Sequence, residues 1–257
     1  MTTVLQTVEA YRSWRSETVG TASLGFIPTM GGLHEGHLEL VKRSLVENDH
    51  VAVSIFLNRT QFNKQEDYDK YPAVFEEDLR VLEELGVDAV FAPSYDDMYP
   101  DDYRYKISES QLSTELEGEH RPGHFDGVLT VVLKLLMVGN ATRAYFGEKD
   151  WQQLQLVKGL VEAFFLPVEI VACPTIREES GLAMSSRNRR LSAEGLQLAA
   201  RFNQVLNTAE SEEAAMVALS AAGFEPEYVA DRGDRRLGAV VLEGVRLIDN
   251  VERKVAR

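Results

Sequence analysis

Along the first two thirds of the chain, short continuous apolar runs alternate with longer segments whose apolar residues recur at helical spacing. SLGFIPT (Ser23–Thr29), VAVSIFL (Val51–Leu57), VDAVFAP (Val87–Pro93), RAYFG (Arg143–Gly147) and PVEIVACPT (Pro167–Thr175) predict five strands. The second run is β-branched and apolar without alternation, the pattern of a parallel strand covered on both faces. Between the strands, HLELVKRSLVEN (His37–Asn48) carries Leu38, Val41 and Leu45 on one helical face. VFEEDLRVLEELG repeats that pattern with Phe75, Leu79, Leu82 and Leu85, and Gly86 is the expected C-terminal cap. A polar loop, LEGEHRPGHFDG, precedes an apolar helix, VLTVVLKLLMVG, and DWQQLQLVKGLVEAFF is a further helix. Strands separated by helical crossovers predict an α/β fold built on a doubly wound parallel sheet. In such sheets ligands sit beyond the carboxyl ends of the strands, and PTMGG, LNRTQF and FGEKD each lie just after a predicted strand.

After about Pro174 the rhythm changes. A basic loop leads into a helix from about Ala193 to Ala209, and a second helix covers about Glu212 to Ala222. EYVAD, GAVVLEG and VRLID are short strand candidates. The expected division is therefore a sheet domain over 1–173 and a small α+β domain over 174–257.

Composition narrows the function. With 44% apolar and 26% charged residues, the 257-residue chain is ordinary for a globular protein. The most apolar stretch, GVLTVVLKLLMVG, is interrupted by Lys134 and is too short to span a bilayer. MTTVLQTVEAYRSWRSE has no basic start followed by an apolar block, so no secretory signal is expected. The single cysteine, Cys173, excludes an internal disulfide and suits a reducing compartment, which points to the cytoplasm. A net charge of -14 argues against a nucleic-acid binder, whose affinity comes from clustered Lys and Arg. An anionic ligand would then need a local basic patch, and SSRNRRLS (Ser185–Ser192) is the densest.

Four clusters could carry chemistry. In PTMGGLHEGH, Gly31 and Gly32 admit a close backbone approach, and His34 and His37 fall on the first turn of a helix. Helix N-termini favour phosphate, so strand, glycines and imidazoles together point to a nucleotide site. A zinc pair is disfavoured, because no third ligand stands at an obvious metal spacing. In FGEKD, Lys149 could neutralise a phosphate, with Gln153 one turn along the next helix. Taken alone, this pentapeptide fits better as a solvated lysine capping an amphipathic helix. In GLAMSSRNRRLS, the Ser185 and Ser186 hydroxyls and the Arg187 fork suit phosphate oxygens, and the loop is a candidate lid. In FLNRTQF, Asn58 and Gln61 offer amides to a polar substrate, although taken alone they fit ordinary turn chemistry better.

Taken together, these segments resemble the pantoate–β-alanine ligase family, within the H-x-G-H nucleotidyltransferase superfamily. PTMGGLHEGH, SIFLNRTQF, EDYDKYP, FAPSYDDMYP, LEGEHRPGHF, YFGEKDWQQL, VEIVACPTIRE and GLAMSSRNRRLS occur in the family's order, and VRLIDN resumes the match. The resemblance implies a Rossmann-like first domain, a smaller C-terminal lid and a homodimer. It also implies ATP-dependent condensation of pantoate with β-alanine through a pantoyl adenylate, with Mg²⁺ accompanying ATP and release of AMP and pyrophosphate.

By the same resemblance His37 is the proton donor, acting with His34, Lys149, Ser185, Ser186 and Arg187 on the phosphates. The ATP site would be lined by Met30, Gly31, Gly32, Leu33, His34, Glu35, Gly36 and His37. Gly147, Glu148, Lys149, Asp150, the Ile176 backbone, Met184, Ser185, Ser186 and Arg187 would complete it. Gln61 and Gln153 would hold pantoate, with Asn58 and Arg121 as further contacts and Gln61 near β-alanine. Magnesium would be held largely by phosphate oxygens, with Asp78 a possible contact and no protein ligand assigned.

Two residues depart from the family's pattern. Arg59 stands where the family commonly has proline, and Asp126 where it often has arginine. The C-terminal domain also looks shortened between Ala222 and Val240. An adenylyltransferase that leaves AMP on its product is one alternative, against which Gln61 and Gln153 argue. A non-catalytic nucleotide binder, suggested by Arg59 and Asp126, is the other.

Overall fold

The computed structural model describes residues 1–72 and 74–253. The chain forms two compact units. One comprises Met1–Glu148 with Gln152–Cys173, and the other Lys149–Trp151 with the chain from Pro174 onward.

The first unit begins with β1 (Thr3–Leu5) and α1 (Val8–Trp14), then β2 (Leu24–Thr29), α2 (Glu35–Glu47) and β3 (His50–Ile55). There follow α3 (Gln65–Asp69), α4 (Phe75–Leu85), β4 (Ala89–Phe91), α5 (Tyr95–Met98), α6 (Glu117–His120) and α7 (His124–Gly139). It closes with β5 (Arg143–Gly147), α8 (Trp151–Ala163) and β6 (Glu169–Cys173). All neighbouring strands pair in parallel, in the order β1-β4-β3-β2-β5-β6.

The five predicted strands are β2 to β6, and the sheet holds a sixth that the sequence pattern did not suggest. Three residues are too few to display a period. β1 exists because it pairs with Ala89–Phe91 at the sheet edge, where Thr2 Oγ1 also donates to the Val87 carbonyl at 2.7 Å. The loop predicted before α7 likewise contains the short helix α6.

Alternate residues of each strand enter different cores, as a sheet covered on both faces requires. Phe26, Ala52, Phe91, Ala144 and Phe146 join the core formed with α1, α7 and α8. Ile27, Val51, Val53, Val90 and Tyr145 join the one formed with Leu40 and Val41 of α2 and Leu82 of α4. The α4 helix ends as predicted, with Gly86 left-handed at φ 83°. At the end of β6, burial pushes the Cys173 thiol pKa up, against the opposing charge of Arg43.

From β2 the chain crosses the sheet one way to β3 and β4, then returns to the other side of β2 with β5 and β6. The order therefore reverses between β2 and β5, the place where open α/β sheets bind ligands. The loops bearing the two histidines and Gly147 flank that reversal.

The second unit packs α9 (Ala193–Thr208) and α10 (Glu212–Ala221) with an antiparallel sheet β7-β8-β9. Those strands run Glu225–Arg232, Arg235–Leu242 and Val245–Glu252. Phe202, Leu206, Leu219, Val240 and Leu247 form its core. Ser192 and Ser211 cap the two helices by accepting the amides of Gly195 and Ala214. β8 starts before the predicted GAVVLEG run, because Arg236 is wholly buried there and paired with Asp231 at 2.7 Å. A charged residue at a strand start hides the strand from a hydrophobicity reading. Among the described residues, no helix is long and apolar enough to cross a membrane.

Candidate active site

The loop after β2 is held from within the protein. Gly31 and Gly32 adopt φ 80° and 65°, a region open to glycine at little cost. The space where their side chains would stand is already occupied. A Cβ on Gly32 would lie 2.3 Å from the Pro72 carbonyl oxygen, and one on Gly31 would lie 3.0 Å from Asp78 Oδ2. The Asp78 carboxylate, only 5% exposed, accepts the amides of Gly32 at 2.7 Å and Leu33 at 2.8 Å. The glycine pair thus makes room for a proline carbonyl and a buried acid, and those two amides point at Asp78 rather than toward a ligand.

His34 caps α2. Its Nδ1 accepts the Gly36 amide at 3.1 Å, and its carbonyl accepts the amides of His37 and Leu38. In the neutral ring this makes Nε2 the protonated, donating nitrogen. The His34 and His37 rings lie 4.1 Å apart between centroids, tilted by 37°. Two half-buried imidazoles over a helix N-terminus form a donor pair suited to an anion.

The loop after β3 is a second organised group. Asn58 is 1% exposed and its amide is fully engaged. Nδ2 donates to Gln61 Oε1 at 3.0 Å and to the Gly127 carbonyl at 3.2 Å, while Oδ1 accepts from Tyr99 and Thr60. Burial pushes the Tyr99 phenol pKa far up, so it stays a donor. With its oxygen taken, Gln61 presents its NH₂.

The backbone of Gln61 is fixed from α6 and α7. Its carbonyl accepts from His124 Nδ1 at 2.8 Å and from Arg121 Nη2 at 3.3 Å, and Arg121 Nη1 meets His124 Nε2 at 3.0 Å. That network sets the His124 tautomer, protonated on Nδ1. A Cβ on Gly127 would come within 2.5 Å of the Thr60 carbonyl oxygen, so this loop can approach α7 only over a glycine. Asn58 and Arg121 both reach Gln61 with their side chains, Asn58 at the Gln61 side-chain oxygen and Arg121 at the Gln61 backbone carbonyl.

On α8 the adjacent glutamines divide. Gln152 is buried, accepting the Glu117 amide and donating to the carbonyls of Leu112 and Glu115 at 2.6 and 2.8 Å. Gln153 is half-buried and bonds to no other side chain among the described residues.

The departures are also placed. The Arg59 guanidinium stacks 3.5 Å from the Tyr95 ring centroid and lies 3.4 Å from Asp102. Asp126 accepts from Ser108 at 2.5 Å.

Lys149, Asp150, Ile176, Met184, Ser185, Ser186 and Arg187 belong to the second unit. Met184 donates its amide to the Ile176 carbonyl at 3.0 Å, and the Arg177–Ala183 bridge continues that pairing. Ser185 caps the 3₁₀ turn Ser186–Arg190 by accepting the Arg187 amide, and Ser186 is buried. Among the described residues, no three His, Cys, Asp or Glu side chains gather to hold a metal.

The sequence reading named Asp78 only as a metal contact and missed Tyr99, His124 and Gln152. For Asp78 the signal was helical phase, since Phe75, Asp78, Leu79 and Leu82 share one face of α4.

A parallel α/β sheet with an imidazole pair at its switch point defines a nucleotide-handling α/β enzyme. The family model for pantoate-beta-alanine ligase matches residues 3–252. The chain belongs to the pantoate-beta-alanine ligase family and is a ligase of pantothenate synthesis. It is 54% identical over 253 residues to a pantothenate synthetase of Bdellovibrio bacteriovorus, covering 98% of this chain and 100% of that one. The pantothenate synthetase of Coxiella burnetii is 50% identical, with 95% of each chain covered. The fold of this chain matches the pantoate-beta-alanine ligase of Francisella tularensis, complexed with beta-gamma ATP and beta-alanine. That likeness has a TM-score of 0.95 at 39% identity and covers 100% of this chain and 99% of the other.

Proposed function

We propose that this enzyme activates pantoate with ATP and then passes the acyl group to β-alanine. A carboxylate is a poor acyl donor to an amine at neutral pH. In the first step a pantoate carboxylate oxygen bonds to the α-phosphorus, the bond from that phosphorus to the bridging oxygen breaks, and pyrophosphate leaves. In the second step the free β-alanine amine attacks the acyl carbon. The acyl C–O bond then breaks, AMP leaves with the electron pair, and the amine loses a proton to solvent.

The first step builds negative charge on the phosphates, and preorganised donors lower its barrier more than a covalent nucleophile would. His34 and His37 supply imidazole donors, with His37 giving its proton to the departing pyrophosphate oxygen, and Lys149, Ser185, Ser186 and Arg187 complete the set. Met30 to His37, Gly147 to Asp150, Ile176 and Met184 line ATP. Gln61 and Gln153 hold pantoate, and Asn58 and Arg121 serve by fixing Gln61. Mg²⁺ would arrive on the phosphate oxygens, since the ion keeps several of its waters and uses few carboxylates. The working form is a cytoplasmic homodimer.

The observation that carries this reading is the paired imidazoles at 4.1 Å on the helix after β2. Pantoate-dependent exchange of labelled pyrophosphate into ATP tests it. Exchange in the absence of β-alanine supports the adenylate, and none at saturating pantoate and Mg²⁺ refutes it. His37→Ala is expected to lower the exchange rate by ~10²-fold, the effect of losing one preorganised donor.

A further inference from the structure

A buried polar cluster in the second unit serves none of the roles above. Asp249 and Asn250 lie on β9, 4% and 2% exposed. Arg177 grips the Asp249 carboxylate with both terminal nitrogens, at 2.7 and 2.9 Å, and also reaches the carbonyls of Gly181 and Asn250. The cluster is thereby tied to the loop between Ile176 and Met184. It is tied as well to the turn carrying Lys149, because Asn250 Nδ2 donates to the Lys149 carbonyl at 3.0 Å. The other end of that amide is held too, with Arg235 donating to Asn250 Oδ1 at 3.0 Å. Nδ2 therefore faces Lys149, and the orientation follows from the network.

We infer that Asn250 is a positioning residue for adenylation, setting the backbone from which Lys149 reaches the triphosphate. This rests on the reading of Lys149 as a phosphate contact. Asn suits the position and Asp does not. A carboxylate would set its lone pairs against the Lys149 carbonyl, whereas the amide supplies the donor and keeps an acceptor for Arg235. Neither Asn250 nor the Arg177–Asp249 pair needs to touch a substrate for this role. A shift of about 1 Å in a positioned group can slow a reaction by ~10²-fold, so the consequence should appear in rate before it appears in stability.

The test compares Asn250→Ala and the isosteric Asn250→Asp with Lys149→Ala in the full-length enzyme. The first half-reaction is read by pyrophosphate exchange. The second is read by chasing enzyme-bound pantoyl adenylate with β-alanine in a single turnover. Both Asn250 variants are expected to lose ~10-fold or more in exchange and to raise the ATP KM, with the chase within about twofold of wild type. Equal losses in both half-reactions would mark a merely structural role and overturn the inference. So would wild-type exchange in both variants while Lys149→Ala loses it. Wild-type exchange in Lys149→Ala would instead overturn the reading of Lys149 and the inference with it.

Discussion

Replacing Asp78 by asparagine changes few atoms at a point where the structure places much of its control. The carboxylate accepts two amides from the glycine loop, at 2.7 and 2.8 Å, in a site 5% exposed. Asparagine keeps one acceptor and turns an NH₂ against the other amide. A hydrogen bond to a charged group is worth about 1.5–3 kcal/mol, and a buried N–H left unmet forfeits about 1–3 kcal/mol. The expected loss is about 2–4 kcal/mol. At ~2–4 °C per kcal/mol for a chain of this size, the Tm should fall by about 5–15 °C.

The loop leads directly into His34, so displacement there should also cost ~10- to 100-fold in pyrophosphate exchange. Calorimetry and exchange on the same preparation read both effects. An Asp78→Asn enzyme with wild-type Tm and wild-type exchange would show that the carboxylate does not hold the loop. Lost stability with intact exchange would show that the imidazoles do not depend on it.

Gln153→Ala should lower kcat/KM for pantoate ~10- to 100-fold with an unchanged Tm, as loss of a hydrogen bond to a charged substrate implies. Gln152→Ala should instead destabilise by about 1–3 kcal/mol, because the buried Glu117 amide and two part-buried carbonyls lose their partner; steady-state kinetics and urea unfolding separate the two. Arg59→Ala removes a stack on Tyr95 worth about 0.5–1 kcal/mol and should leave the pantoate KM within about twofold, since the guanidinium is turned onto Tyr95 and Asp102. A large KM change would place that charge in the site. The Asp231 carboxyl is held below the usual carboxylate range, chiefly by its hydrogen bond from Arg236. With the folded value depressed, its stabilisation is present above about pH 4 and is lost as pH falls through the folded value. The stability gap between wild type and Asp231→Asn should therefore narrow on acidification, and a pH-independent gap in urea titrations would contradict this.

What could be read from the chain alone followed from how residues are coupled. The runs behind β2 to β6 were visible because strands covered on both faces are largely apolar, as Val51, Ala52, Val53 and Ile55 show. β1 was not, since a three-residue strand owes its existence to pairing with a strand more than eighty residues away. Arg236 hid the start of β8 because its partner, Asp231, lies across a hairpin that hydrophobicity does not register.

At the site, His34, His37 and Gln61 were legible as local motifs, while the residues that fix them were not. Asp78, Tyr99 and His124 act from other elements, through bonds that only the folded chain creates. The Cβ positions of Gly31 and Gly32 are crowded by Pro72 and Asp78, a packing that no local motif announces.

That last arrangement bears on how the enzyme can be altered. Bulkier residues at Gly31 or Gly32 would meet Pro72 and Asp78 within the loop's own scaffold, so a side chain there disturbs the turn that leads into His34. A library that varies this loop should therefore keep glycine at both positions.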